Sequence, residues 1–458
     1  MPRPRDAGTR IPLTLSQQQM WLLEASADPP GLFNITAQHR FAAAVDEHAL
    51  RAALEHLTQR HETLRTSFHS DGGAPYQSVA PSVALDFDLC DLRDLPAGEP
   101  REELHARVGA QDAEAFDLAQ APLWRSRLYR SADGSEMLAV TFDHLVCDGT
   151  SAYIFLSEVV AAYEALVAGD EPALRPLAVQ YPDFALWQRD WLSEERLAAQ
   201  LAYWKRKLAG MPLGPAMPLD RVPEKPTRRI ATEPISVIGD AYAGLRDLAR
   251  ETGGTVFVVV AAALNALFHR AAGVTDVVLS TTLSGRQRSQ LDGLVGCFHG
   301  VGRLRTDLSG DPSFETVVER MRETVIGLFE HQDIPFMRVR QAVLPDLPRG
   351  GPALLAAVPV ELQYFHTAHD EWTPGAGVVE RPGPDRGPDD LFFRGHLHPL
   401  NVTCLDDGER LWGQFSYKVD FYDRETIRRL AADLDLVLSA VVANPRARLS
   451  QLPVTAAD

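Results

Sequence analysis

The stretch Asp143-His144-Leu145-Val146-Cys147-Asp148-Gly149 sets an imidazole and a carboxylate four residues apart and follows them with a glycine. An unperturbed histidine titrates near ~6.5, so His144 can take or give a proton at neutral pH. Within reach of a reacting group, such a side chain does general acid or base work. Asp148 has the chemistry to hold a turn, by hydrogen bonds or by pairing with a cation. Gly149 permits a left-handed backbone or the close approach of a ligand. A second carboxylate, Asp143, stands directly before the histidine. It would raise the pKa of His144 only if the two approached, and adjacent strand residues point to opposite faces.

The elements around the stretch read as a strand and a helix. The apolar run 137–142 predicts a buried strand, and 150–166 carries Ile154, Phe155, Val159, Tyr163 and Leu166 at helical spacing. His144 and Asp148 therefore belong to a strand-to-helix turn. The N-terminus of that helix would favour negative charge developing nearby. Further helices are expected over 46–57, with Asp46 as N-cap, and over 194–208, 256–264, 314–328 and 424–441. Short strands are expected over 277–282, 304–307, 359–364, 401–405 and 411–417. Helices and strands mix throughout, so the class is α/β or mixed α+β. The proline-containing segment 208–227 reads as an interlobe linker, and 373–390, rich in Gly, Pro and Asp, as a long surface loop.

At 458 residues the chain exceeds one ordinary core, which points to two lobes. A formal net charge of −17, with an isoelectric point near 5.3, makes it a poor partner for nucleic acid, whose phosphates would repel it. The four cysteines (Cys90, Cys147, Cys297, Cys404) are scattered and form no C-x-x-C pair. That pattern argues against a zinc site or a disulfide framework and suits a reducing cytosol. No metal is expected, nor a nucleotide-binding glycine loop. Residues 1–5 are followed by no apolar signal region. The most apolar stretch, 256–264, is too short to span a bilayer. The expected compartment is the cytoplasm, without membrane attachment.

The turn resembles the HHxxxDG signature of nonribosomal peptide synthetase condensation domains, with Asp143 where the first His usually stands. Other stretches match that family in order. Ser16-Gln17-Gln18-Gln19-Met20-Trp21 resembles its S-x-x-Q-x-x-(W) opening. Arg60-His61-Glu62-Thr63-Leu64-Arg65-Thr66-Ser67-Phe68 is close to RHE-x-LRT-x-F. Tyr181-Pro182-Asp183-Phe184-Ala185-Leu186-Trp187-Gln188 is similar to Y-x-DFA-x-WQ, and 218–221 fits the L-P-T-D-R-P linker motif loosely. His331-Gln332-Asp333-Ile334-Pro335-Phe336 matches HQD-x-PF, and 417–423 matches Y-x-x-D-L-F-D. Together the matches cover nearly the whole chain.

The resemblance implies two chloramphenicol-acetyltransferase-like lobes forming a V, with the active site at their interface. The division is expected as residues 1–178, carrying the DHxxxDG motif, and 179–458, with the linker 208–227 and the loop 373–390. It implies an acyltransferase that joins a carrier-bound acyl or aminoacyl thioester to an amine or alcohol, forming an amide or ester; with little chain outside 11–453, a free-standing enzyme is expected. The acyl group arrives on the phosphopantetheine arm of an acyl or peptidyl carrier protein, and no bound cofactor is expected besides. Carrier proteins are usually acidic, so docking one here needs a local basic patch. His144 matches the catalytic histidine, as general base or as the group that orients the nucleophile and stabilises the intermediate. Asp148 matches a structural residue that pairs with arginine, Arg65 and Arg286 being the candidates. Gly149 would keep the channel open. Cys147 reads as buried filler, because the middle positions of the motif are usually apolar. Two departures stand in 295–300, which resembles G-x-F-V-N-T: His299 is an added polar group, and Gly300 replaces the usual Asn. Arg303 stands where the family usually has proline. His299 and Ser151 are candidates for an interface or substrate contact. The competing readings are a silent condensation-like domain that recruits other enzymes, a coenzyme A-dependent acyltransferase, and an epimerase relative.

Overall fold

The computed structural model describes all residues except 7–8, 25–30, 32, 42, 94–98, 132–133, 228, 346–350, 367–397 and 456–458. The predicted surface loop 373–390 therefore lies outside the described residues. Two principal sheets organise the rest. The first has four strands in the order Asn34–Phe41, Glu136–Asp143, Trp124–Ser131, Phe87–Leu92. Its first three strands pair antiparallel, and Asp143 at the end of the motif strand lies opposite Asn34. The last pair is parallel. A small three-stranded sheet joins Ile11–Pro12, Tyr76–Val79 and Thr66–His69.

The second sheet has six strands, ordered Gly300–Asp307, Asp276–Leu283, Val360–His366, Leu400–Asp406, Leu411–Lys418, Ile230–Val237. Its alternation is easy to read. Leu279, Leu304, Leu362, Val402 and Phe415 turn one face onto the helices Val256–Ala272, Phe314–Glu330 and Arg424–Ala443. The expected strand segments fall within these strands or overlap them, and the expected helices differ from the observed ones mainly at their ends. Asp46 does cap Glu47–Arg60, its carboxylate accepting from the His48 and Ala49 amides.

Among the described residues two large apolar cores accompany the two lobes of the fold, and a smaller third cluster gathers Leu92, Leu104, Val108, Tyr129, Met137 and Ala139. The first gathers Leu50, Leu54, Phe68, Trp124, Phe142, Phe155 and Val159; the second runs from Trp204 to Leu452. One stretch breaks the chain-order division. Leu291, Leu294, Val295, Cys297 and Phe298 come from the second half of the chain but pack into the first core. Tyr181 and Phe184, just past the division at 178/179, also pack into the first core; that division remains our proposal for where the chain changes lobe. The linker 208–227 is tied down along its length. Leu208, Met211 and Met217 are buried in the second core, and the Tyr422 hydroxyl donates to the Met217 carbonyl at 2.9 Å.

The helix after the motif, Gly149–Ala168, is 20 residues long with a mean hydropathy of 1.4, enough by length and composition to cross a bilayer. The expectation that no segment reaches that length is corrected here. Its residues Ala152, Phe155, Leu156, Val159, Val160 and Ala162 are buried, however, and the helix packs against Glu47–Arg60.

Candidate functional site

The motif turn is built almost entirely from its own residues. Asp143 is buried, and its carboxylate accepts from the Leu145 amide at 2.8 Å. Burial, reinforced by Glu24, pushes the Asp143 carboxyl up to about 7, against the pull of that amide. The next side chain turns back on the turn: His144 Nδ1 lies 2.8 Å from the Cys147 carbonyl. A carbonyl oxygen only accepts, so the bonded Nδ1 carries the proton and Nε2 is left with its lone pair. Burial lowers the His144 pKa, with Asp148 opposing, which favours the neutral ring. Cys147 is buried as expected.

Asp148 ends the turn as the N-cap of Gly149–Ala168. One carboxylate oxygen accepts from the Ser151 amide at 2.7 Å, and the other accepts from the Phe298 amide at 2.9 Å. Burial alone would raise its pKa; Arg286 and the bonds from Ser151 hold it below the usual carboxylate value. The helix N-terminus, expected to favour charge on a substrate, thus already faces an anion.

Of the two arginines offered to Asp148, the structure brings only Arg286. Its Nη2 lies 3.5 Å from Asp148 and donates to Ser151 Oγ at 2.6 Å, while its guanidinium lies over the Phe298 ring at 4.1 Å. The assignment of Arg65 is corrected. Its donors go to the carbonyls of Thr58 (3.0 Å), Ala80, Gln59 and Pro81, fastening the end of Glu47–Arg60 to the small sheet. A helix C-terminus offers unpaired carbonyls, which suit a guanidinium.

Facing the turn is the segment 296–300. Ser151 Oγ donates to the Gly296 carbonyl at 2.7 Å and accepts from the Gly296 amide at 3.0 Å. The expected contact of Ser151 is therefore with this segment. The Tyr181 hydroxyl donates to the Cys297 carbonyl at 2.6 Å, and Ser16 Oγ donates to the His299 carbonyl at 2.8 Å. Gln17 reaches the other side, donating to the Leu145 carbonyl at 2.9 Å. A Cβ on Gly296 would overlap the Tyr181 ring, so glycine is required for this approach. Gln17, Tyr181 and Cys297 were not singled out as site residues by their sequence. Ser16-Gln17 and Tyr181 lie inside matched motifs, which was the available signal.

His299 stacks on His144, ring centroids 4.3 Å apart at 29°, and its Nδ1 lies 3.6 Å from Cys297 Sγ. Burial and the neighbouring His144 push its pKa down to about 3, against Asp148, so it stays neutral. Ligating atoms of His144, Cys297 and His299 all lie within 4.8 Å of one another. Spacing alone gave no hint of this cluster, since Cys297 lies 153 positions beyond His144. His299 opens onto a cavity enclosing about 770 Å³ of empty space, solvent included, lined also by Ser16, Trp187, Trp191, Arg288 and Phe336. Arg303, at the proline position, is buried over the Phe336 ring at 3.7 Å and donates to Ser280 Oγ at 2.8 Å.

A model of the condensation domain matches residues 8–457. The chain belongs to the condensation domain family. One of the linear gramicidin synthase proteins of Brevibacillus parabrevis is 34% identical over 460 residues, 99% of this chain and 9% of that protein. The chain thus spans about a tenth of that relative. Among solved structures, the X-domain from teicoplanin biosynthesis superposes with a TM-score of 0.81 at 28% identity, covering 99% of both chains; the same domain in complex with OxyB gives the same values over 100% of both. The first condensation domain of the calcium-dependent antibiotic synthetase, bound to a substrate analogue, shares the fold at a TM-score of 0.76 and 21% identity, over 98% of this chain and 100% of that one. The family is generally of acyltransferase type, and its members in nonribosomal peptide synthetases work with phosphopantetheine-bearing carrier proteins.

Proposed function

We propose that this domain catalyses acyl transfer from a carrier-bound thioester to an amine or alcohol, with His144 as the group that handles the acceptor's proton. The observation that carries this reading is the pinned tautomer. With Nδ1 held by the Cys147 carbonyl, the neutral ring presents Nε2 as an acceptor. As the acceptor atom bonds to the thioester carbon, its proton passes to Nε2. As the carbon–sulfur bond breaks, that proton leaves with the pantetheine thiolate. No residue is acylated. Asp148 and Arg286 support the turn, Ser151 and Asp148 hold the facing segment, and Gly149 leaves the arm's channel open. The carrier's arm is the only prosthetic group this chemistry asks for, and the cytoplasm is the proposed compartment.

A second reading rests on the likeness to the X-domain, which has been solved in complex with OxyB. In that reading the chain recruits a partner enzyme and leaves the bond-forming to others; Asp143 in place of the first motif His favours it. An intact-mass assay separates the two. An acyl-loaded carrier protein is offered a panel of amines and alcohols, with wild type and a folded His144→Ala variant. Acceptor-dependent transfer lost in the variant supports catalysis and names the bond formed. No transfer from any cognate carrier, with partner binding intact, rules catalysis out in favour of recruitment.

A further inference from the structure

We propose that Cys297, His299 and His144 form a binding site for one thiophilic divalent cation of the zinc class, at the face where the two lobes meet. Three observations converge on it. The donors are a thiol and two imidazoles, the set that zinc, cobalt and nickel take in preference to magnesium or calcium, which want oxygen. Their spacing is close to ready. With Zn–S near ~2.3 Å and Zn–N near ~2.0–2.1 Å, a tetrahedron needs a sulfur–nitrogen edge of about 3.6 Å; Cys297 Sγ and His299 Nδ1 lie 3.6 Å apart. The third donor has the support that metal-binding histidines usually have. His144 Nδ1 is fixed by the Cys147 carbonyl, which turns Nε2 into the ligating nitrogen and holds the ring.

The remaining positions follow from the fold. All ligating atoms lie within 4.8 Å, so His144 must close in by about an ångström to complete the tetrahedron. His299 opens to the interlobe cavity, which leaves a fourth position for water or a ligand. Asp148, bonded to the Phe298 amide between the two lobe-bridging donors, adds a negative charge close by, while Arg286 beside it works against a cation. Binding displaces the thiol proton to solvent and leaves a metal–thiolate bond; no electrons are transferred. Where His144 acts as proposed above, the cation takes the nitrogen that transfer needs and so blocks it. That consequence rests on the proposed catalytic reading; the binding itself does not.

The test reads the metal directly. The full chain, stripped with a chelator, is titrated with cobalt(II) and watched for tetrahedral ligand-field bands and a thiolate-to-cobalt charge-transfer band. Zinc affinity is then measured by competition with a chromophoric chelator. Wild type is expected to bind one cobalt per chain with the thiolate band, and magnesium is expected not to compete. Cys297→Ser should lose that band. Cys297→Ser and His299→Gln should each weaken zinc by at least the roughly 10–100-fold that disturbing an outer partner costs. Melting curves show whether each variant folds, and His299→Gln decides alone if Cys297→Ser does not. No stoichiometric cobalt binding, or binding unchanged in a folded His299→Gln, overturns the site and leaves Cys297 and His299 as a thiol–imidazole hydrogen bond. The thiolate band in a protein whose metal-free form shows no transfer supports the site while defeating the catalytic reading. Transfer without any cobalt signal does the reverse.

Discussion

The two loops that meet at the site are held in opposite ways. In the turn 143–149 a chain of local bonds sets the shape, Asp143 to the Leu145 amide, His144 to the Cys147 carbonyl and Asp148 to the Ser151 amide, and the distant bonds from Gln17, Phe298 and Arg286 add to it. The segment 296–299 is held from afar. Its bonds come from Ser151, Tyr181, Asp148 and Ser16, residues 145, 116, 150 and 283 positions away. A loop with local bonds keeps its shape when a distant neighbour is lost. A loop held by distant residues keeps its shape only while the lobes stay docked. The first loop can therefore carry the proton-transfer group, and the second reports on the lobe interface.

Removing the imidazole tests the self-contained loop most severely. His144→Ala takes away the ring but none of the bonds from Asp143 or Asp148, so the turn should persist. Transfer should fall by about 10²–10⁴-fold, with the midpoint of urea unfolding nearly unchanged, as read by the intact-mass assay beside a denaturation curve. A comparable loss of stability would mean that the turn is less autonomous than its bonds imply.

Asp148 belongs to both loops, and its loss should break the comparison. Asp148→Ala strips the cap from Gly149–Ala168, frees the Phe298 amide and leaves Arg286 buried beside no carboxylate. Breaking a buried pair on one side costs about 3–5 kcal/mol. Chemical denaturation should show that loss, and low yield of folded protein should accompany it. A stable but inactive Asp148→Ala would move this carboxylate from support to chemistry.

What could be read in the sequence follows the same line. The capping of Glu47–Arg60 by Asp46, the strand and helix around the motif, and the pairing of Asp148 with Arg286 were legible, the first two because their partners are close in sequence. The pairing came through the family resemblance, and the same route also offered Arg65, which the carbonyls of Thr58 and Ala80 claim instead. The roles of Tyr181 and Gln17 were hidden although both lie in matched motifs. A motif marks a residue but does not say which loop, more than a hundred positions away, its hydrogen bond will reach. The convergence of Cys297 and His299 on His144 was hidden for the same reason: it exists only once 291–298 has left the second lobe for the first core.

Gly296 tests that crossing by packing alone. An alanine there drives a methyl group into the Tyr181 ring, and overpacking of this kind costs about 1–3 kcal/mol. The expected result is a lower unfolding midpoint, together with a loss of transfer larger than stability alone explains, because the facing segment shifts relative to His144. An unchanged rate in a destabilised Gly296→Ala would separate the segment's position from the chemistry.

The smallest effects come from trimming the distant supports singly, and they are the sharpest test of borrowed rigidity. Tyr181→Phe removes the hydroxyl that donates to the Cys297 carbonyl, and Ser16→Ala removes the one that donates to the His299 carbonyl. Each should cost about 0.5–1.5 kcal/mol. The two bonds hold carbonyls two residues apart in one short segment, so their effects should not add: once either is gone, the segment relaxes and the other has less to hold. A double-mutant cycle on unfolding free energy should therefore show a coupling above the ~0.3–0.5 kcal/mol scatter expected of independent sites. Strict additivity would mean that each residue along 296–299 is held separately, and that the lobes need not be docked for the segment to keep its shape.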